Sequence, residues 1–297
     1  MKIEFQKISK EYKNGVWGLK DVDFSIEYGV FGLLAPNGAG KTTLMRILST
    51  LLKPTSGTCV VNGQDISKNG DSIRKILGYL PQELSMYKNL TVFEFVHYMA
   101  ILKGYRSKSV IDNVLEEVGL LDIKNRKVAS LSGGMKRRVG IAQAIIGNPQ
   151  ILIFDEPTAG LDPEERVRFR NLISKFARDR IVILSTHIIE DVYQTCENIC
   201  ILKSGSVLYQ GDKTNLMKGV YGKVKLITVE NEQELEEIKK KVKIISASYQ
   251  SNGIITRVID ENAEYKCIPE KESMEDAYVY YVGGGYYNER CPVNRKI

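Results

Sequence analysis

The chain has 297 residues, 43% hydrophobic and 26% charged, a balance that excludes disordered, fibrous and membrane-embedded classes and leaves room for one large domain plus a smaller one, or two of similar size. Its net charge of +6 lies wholly in residues 1–203, since residues 204–297 carry 14 Lys and Arg against 14 Asp and Glu. So small an excess selects none of nucleic acid, acidic lipid or nucleotide phosphate as a partner.

No run approaches the ~20 apolar residues of a membrane-spanning helix, and the opening MKIEFQKISKEYK lacks the apolar centre of a secretory signal. Five cysteines form no paired framework, so a cytosolic chain without disulfides is expected. In chain order, β-rich runs at 20–27, 30–34, 77–80, 151–155, 181–185 and 198–202 alternate with helix-period segments at 41–52, 91–103, 133–147, 163–178 and 188–195. That alternation predicts an α/β fold. ILIFD (151–155) and IVILS (181–185) are nearly uninterrupted apolar runs, as suits central strands of a parallel sheet covered on both faces. Such a sheet presents ligands at the C-terminal ends of its strands. Beyond 220, KVKLITVE, NEQELEEIKKKV, KIISASYQ and GIITRVID read as strand, helix, strand, strand, which predicts a small α+β domain over 221–285. The Gly-rich, aperiodic end, 286–297, reads as a flexible tail.

The strand at 30–34 runs into APNGAGKTT (35–43) and then a helix, the context a phosphate-binding loop requires. Backbone N–H groups of Asn37, Gly38, Ala39, Gly40, Lys41, Thr42 and Thr43 are expected to surround a β-phosphate. Lys41 is expected to neutralise β and γ oxygens and the Thr42 hydroxyl to ligate Mg²⁺. Ala35 stands where the strict pattern has glycine; alanine fits at negative φ, whereas positive φ would cost about 1–2 kcal/mol. ILIFDEP sets Asp155 and Glu156 at the end of an apolar strand, where adjacent acids are costly unless a cation and a reacting water employ them. Asp155 is therefore assigned to Mg²⁺ and Glu156 to the attacking water, as general base. LSGGM (131–135) offers a second helix-opening turn, in which Ser132, Gly133 and Gly134 present donors to an anion. One nucleotide cannot use both turns of one chain if the helices stand apart, so the second is expected to serve the nucleotide of a partner copy.

The motifs APNGAGKTT, LPQ, LSGGM, ILIFDEP, AGLD and STH, in this order, resemble the ATP-binding subunit of an ABC transporter over roughly residues 1–220. The resemblance implies a P-loop NTPase cassette with a RecA-like core, antiparallel β and helical subdomains (the helical one about 83–147), and head-to-tail pairing with a second cassette, forming a homodimer. It implies that Tyr12 stacks on adenine, with Trp17 as the rival. Gln82 would contact Mg²⁺ and the attacking water, His187 the γ-phosphate, and Asp162 the opposite subunit. The cofactors implied are ATP and Mg²⁺. The partner implied is a separate transmembrane permease meeting the stretch 83–102, which puts the chain on the cytoplasmic side of the plasma membrane. Met135 replaces the commoner Gln of the signature, while Ser132, Gly133 and Gly134 are intact.

LSGGMKRR, DEPTAGLDP and the closing SMEDAYVYY resemble bacterial ABC-2-type exporters of the multidrug or antimicrobial-peptide kind; nothing in the sequence reads the cargo. An importer ATPase is one alternative and a soluble ABC-type ATPase acting on nucleic acid or ribosomes another. Against the latter, Lys41 and Asp155 are 114 positions apart, without the long insertion of repair-type relatives. Lys136, Arg137 and Arg138, like Arg166, Arg168 and Arg170, read as solvated or interface faces, and no nucleic acid is expected. Cys196 and Cys200 read as core thiols and His97 as packing.

Overall fold

The computed structural model describes residues 1–251, 253–261 and 268–283. β1 (Ile3–Glu11) and β2 (Trp17–Ile26) pair antiparallel, and the register slips between Phe5 and Ile8, where Lys7 adopts φ +50. The bulge carries the buried face from Ile3 and Phe5 on to Ile8. β3 (Gly29–Leu34) leads into α1 (Lys41–Leu48), and β4 (Ser56–Val61) turns through Asn62-Gly63, both at positive φ, into β5 (Gln64–Asp65). These strands make a four-stranded sheet of order β2-β1-β4-β5. Phe5 packs tilted on Phe24 and Phe24 stacks on Phe31, with ring centroids 4.7 and 5.6 Å apart, and so they join this sheet to β3.

α2 (Gly70–Lys75) and β6 (Leu77–Leu80) precede a helical stretch: α3 (Val92–Leu102), α4 (Lys108–Glu117) and α5 (Gly133–Ile145). α3 begins at a capping box in which Thr91 and Glu94 satisfy each other's backbone N–H groups. α5 lies close on β6 because a Cβ on Gly78 would come 2.2 Å from the Ala144 carbonyl, an approach that glycine alone permits. The chain continues through β7 (Ile151–Asp155), α6 (Pro163–Phe176), β8 (Ile181–Thr186), α7 (Ile189–Thr195), β9 (Asn198–Lys203) and β10 (Ser206–Asp212). The second sheet has order β10-β9-β3-β8-β7-β6, with β6, β7, β8, β3 and β9 parallel. Every residue of β7 and β8 is buried, as their apolar sequences demand. The fold is the expected α/β cassette, with an antiparallel sheet and a helical segment attached to a parallel core.

The chain divides after Gln210 into two compact units, ahead of the expected boundary at 220. The reason lies within the second unit, where α8 (Lys213–Lys218) ends at Gly219 and a Cβ there would lie 2.8 Å from the Tyr281 hydroxyl. The rest of that unit is β11 (Val224–Val229), α9 (Glu232–Lys239), β12 (Lys243–Gln250), β13 (Gly253–Ile259), β14 (Ile268–Pro269) and α10 (Met274–Val282). Its antiparallel sheet has order β12-β13-β11-β14, and Leu235 and Ile238 of α9 pack on Ile227, Ile254 and Val258. The expected tail, 286–297, lies outside the described residues. Among the described residues no helix is long and apolar enough to cross a membrane, and Cys59, Cys196 and Cys200 are buried.

Candidate active site

Parallel pairing brings the ends of four strands to one edge. Leu34 lies beside Thr186, Asp155 beside Ser185, and Leu80 beside Phe154. The loop after β3 turns through Gly38 at φ +76 and Gly40 at φ +109, and a Cβ on Gly40 would lie 2.4 Å from the Gly18 carbonyl. Ala35 has no positive φ, so alanine fits there without strain, and its carbonyl accepts from Lys41 Nζ at 2.5 Å. α1 opens at Gly40 without a side-chain cap, which leaves first-turn N–H groups for an anion.

Beneath this loop Lys41 and Glu156 form an ion pair, Nζ to Oε1 3.1 Å, with side chains 6% and 4% exposed. The other Glu156 oxygen, Oε2, meets His187 Nδ1 at 2.7 Å. Glu156 itself has φ +47; its N–H donates to the Ser185 carbonyl at 2.7 Å. Asp155 Oδ1 accepts from the Ser185 hydroxyl at 3.0 Å, while Oδ2 is buried with no hydrogen-bond partner. Burial raises the Asp155 carboxyl above the usual range against the Ser185 bond, which lowers it, and Glu156 adds to the rise. A buried acid with an orphaned oxygen fits a cation. Burial, then the Asp155 charge, also pushes the Tyr79 phenol up to about 12.

A cavity of about 410 Å³ gathers Tyr12, Trp17, Lys41, Thr42, Gln82 and Glu156, and Asn37, Gly38, Gly40 and Thr43 also line it. Ala39 is buried behind the loop. Tyr12 and Trp17 are both part-exposed there, and the Tyr12 hydroxyl shares a 2.9 Å hydrogen bond with Thr43 Oγ1. A larger cavity, about 510 Å³ between the end of α1 and α2, is lined by none of the predicted residues. Ser132, Gly133, Gly134 and Asp162 do not line the nucleotide-sized cavity. Ser132 caps α5 by accepting from the Met135 N–H at 3.2 Å, Asp162 caps α6 by accepting from the Glu165 N–H at 2.8 Å, and the Glu165 side chain crosses Gly134. The two turns thus line no common cavity in one chain.

Two features escaped the sequence reading. Arg137 is a buried cation, not a solvated one: Nε donates to Pro157 O at 2.8 Å, Nη1 to Pro81 O and Gln82 O at 3.3 and 3.0 Å, and Nη2 to Asp155 O and Glu156 O at 2.8 and 2.7 Å. Burial brings its pKa down to about 10, against the pull of Asp155 and Glu156. The signal was present, since Arg137 falls on the helical stripe of Ile141, Ala144 and Ile145, all buried. The second is Asp191, 1% exposed, which accepts from Thr158 Oγ1 at 2.5 Å and from Arg170 Nη1 at 3.2 Å and so ties α7, behind His187, to the turn after Glu156. His97, by contrast, packs on Phe93 with centroids 5.6 Å apart.

Phosphate chemistry at the C-terminal edge of a parallel sheet, fed by a glycine loop and its lysine, defines a P-loop ATPase, here with the helical segment of the ABC cassette class. Residues 19–159 match the family described as ABC transporter. The chain is 35% identical over 259 residues to the "Probable multidrug ABC transporter ATP-binding protein YbhF" of Escherichia coli, across 86% of this chain and 43% of that protein, so it spans less than half of that relative. It is 32% identical over 226 residues to Nod factor export ATP-binding protein I of Burkholderia thailandensis, across 74% of each. The ATP-binding cassette MJ0796, solved as a dimer in a post-hydrolysis state with ADP and Pi, superposes with a TM-score of 0.64 at 28% identity, across 71% of this chain and 98% of that one. The chain belongs to the ABC transporter family, as an ATP-binding cassette.

Proposed function

We propose that the chain hydrolyses ATP to drive export of a solute through a separate transmembrane permease, working as a pair of cassettes on the cytoplasmic face of the membrane. The observation that carries the reading is the buried Lys41–Glu156 pair at the wall of one cavity, with the exposed His187 ring on the other Glu156 oxygen. Phosphate oxygens entering the loop draw Lys41 from Glu156, which frees a carboxylate oxygen to take a proton from water. His187, bonded to the other oxygen, keeps that carboxylate aimed and lies at hand for the γ-phosphate. Thr42, Gln82 and Asp155 would hold Mg²⁺, whose charge offsets that of the β and γ oxygens. Tyr12 supplies an aromatic face for the base. Ser132, Gly133, Gly134 and Asp162 lie away from the chain's own cavity, which supports their service to a second cassette; the dimeric state of the MJ0796 relative agrees. Export, rather than import, is supported by the name of the Nod factor export protein.

Light scattering on Glu156→Gln tests this: its mass should double with ATP and stay single without it, while the unsubstituted chain releases phosphate. A mass indifferent to ATP, or no phosphate release, would overturn the reading.

A further inference from the structure

We propose that Arg137 is a positioning residue for hydrolysis, its guanidinium registering the helix that opens at Ser132 against the two strand ends that carry Gln82 and Glu156. The proposal rests on the ATPase reading above. A guanidinium holds five N–H donors in one rigid plane. Here its nitrogens reach five carbonyls, two from the Pro81-Gln82 segment after β6 and three from Asp155, Glu156 and Pro157 at the end of β7 and just beyond it, at 2.7–3.3 Å. The ladder joining those strands ends at Leu80 and Phe154. Arg137 supplies, one residue further on, the donors that the ladder no longer gives.

The Glu156 peptide is consequently held on both sides. Its N–H is fixed to Ser185 O at 2.7 Å and its carbonyl to Arg137 at 2.7 Å, while its φ of +47 is one that a glutamate keeps only under such constraint. The direction of the carboxylate toward Lys41 and His187 follows from that backbone. Arg137 lies one helical turn beyond the Ser132-Gly133-Gly134 turn. Movement of that turn by about 1 Å stretches these hydrogen bonds past their working range. Occupancy of the signature turn is thereby felt at the chain's own Glu156, and at Gln82 in the same motion.

The test uses the full chain, Arg137→Lys, Glu156→Gln and the double variant, with phosphate release for turnover and fluorescent MANT-ATP for binding. Lysine keeps a buried cation but offers three donors from a point instead of five in a plane. Arg137→Lys should lower kcat roughly 100-fold, the usual consequence of a catalytic group displaced by about 1 Å, with the MANT-ATP Kd within about threefold. Added to Glu156→Gln, it should cost less than about threefold more, because the two act through one group. Losses that multiply in the double variant, or a Kd that rises in step with the fall in kcat, would overturn the proposal. If Arg137→Lys does not fold, the Arg137 Nε–H resonance of the unsubstituted chain decides: a shift on adding ATP supports the device, and a resonance unmoved by ATP overturns it. Absence of hydrolysis by the unsubstituted chain defeats the ATPase reading and this proposal together, whereas normal hydrolysis with multiplying losses defeats this proposal alone.

Discussion

In the proposed mechanism nucleotide takes Lys41 away from Glu156, and that competition has a measurable size. The pair is 3.1 Å apart and almost wholly buried, so solvent screens it little. Glu156→Gln leaves an oxygen in place and removes its charge. The contact is an ion pair rather than a hydrogen bond, and a charge-assisted contact exceeds its neutral counterpart by about 1–1.5 kcal/mol, so the nucleotide-free state loses about that much. The ATP-bound state, in which Lys41 has moved to phosphate, loses none of it. Affinity for ATP should therefore rise about five- to tenfold. Turnover should fall roughly 10²–10⁴-fold, because an amide cannot accept the proton of water. Titration calorimetry with ATP and a phosphate-release assay read the two quantities. Weaker ATP binding by Glu156→Gln, or turnover at the unsubstituted rate, would refute the reasoning.

Gly40→Ala should abolish tight ATP binding, since the left-handed conformation costs about 1–2 kcal/mol and the new Cβ would meet the Gly18 carbonyl at 2.4 Å; calorimetry showing affinity within a few-fold of normal would contradict this. Tyr12→Phe should keep ATP affinity within about threefold, because the ring and not its bond to Thr43 carries stacking, whereas Tyr12→Ala should lose at least about fivefold. If the rival Trp17 carried the base instead, Tyr12→Ala would be nearly silent and Trp17→Ala would not. In the second unit, burial raises the Asp276 carboxyl, but bonds from Arg257 at 2.9 and 2.7 Å and from Ser273 outweigh it and hold the group below its usual 3.8. A lowered folded-state pKa gives stability that is complete above the unfolded value and lost as pH falls through the folded one. Urea unfolding followed in that unit should thus weaken from about pH 4 downward, and Asp276→Asn should flatten this stretch of the profile; an unchanged profile in the variant would count against the assignment.

The phosphate loop was legible because the chemistry dictates residue types directly: glycine at positive φ, a lysine, a hydroxyl, in sequence. Asp155 and Glu156 were legible for a related reason, since acids closing an apolar strand need a use. β1 was not, because the bulge at Lys7 breaks the alternation of Ile3 and Phe5 before Ile8 restores it. Arg137 was misread through its neighbours: a run of three basic residues suggests solvent, although the helical period places the middle one among Ile141 and Ala144. The Thr158, Asp191 and Arg170 network joins residues far apart in sequence, and no local pattern announces such a pairing. The unit boundary shifted because Gly219 admits the Tyr281 ring, a contact across 62 positions that composition does not register.

The central claim is that ATP turnover here serves a membrane partner. Glu156→Gln, tagged and purified in mild detergent from the native membranes with ATP and Mg²⁺ present, should bring down a polytopic membrane protein identifiable by mass spectrometry, in fixed stoichiometry with two cassettes. Recovery of ribosomes, nucleic acid or soluble proteins alone would contradict the account.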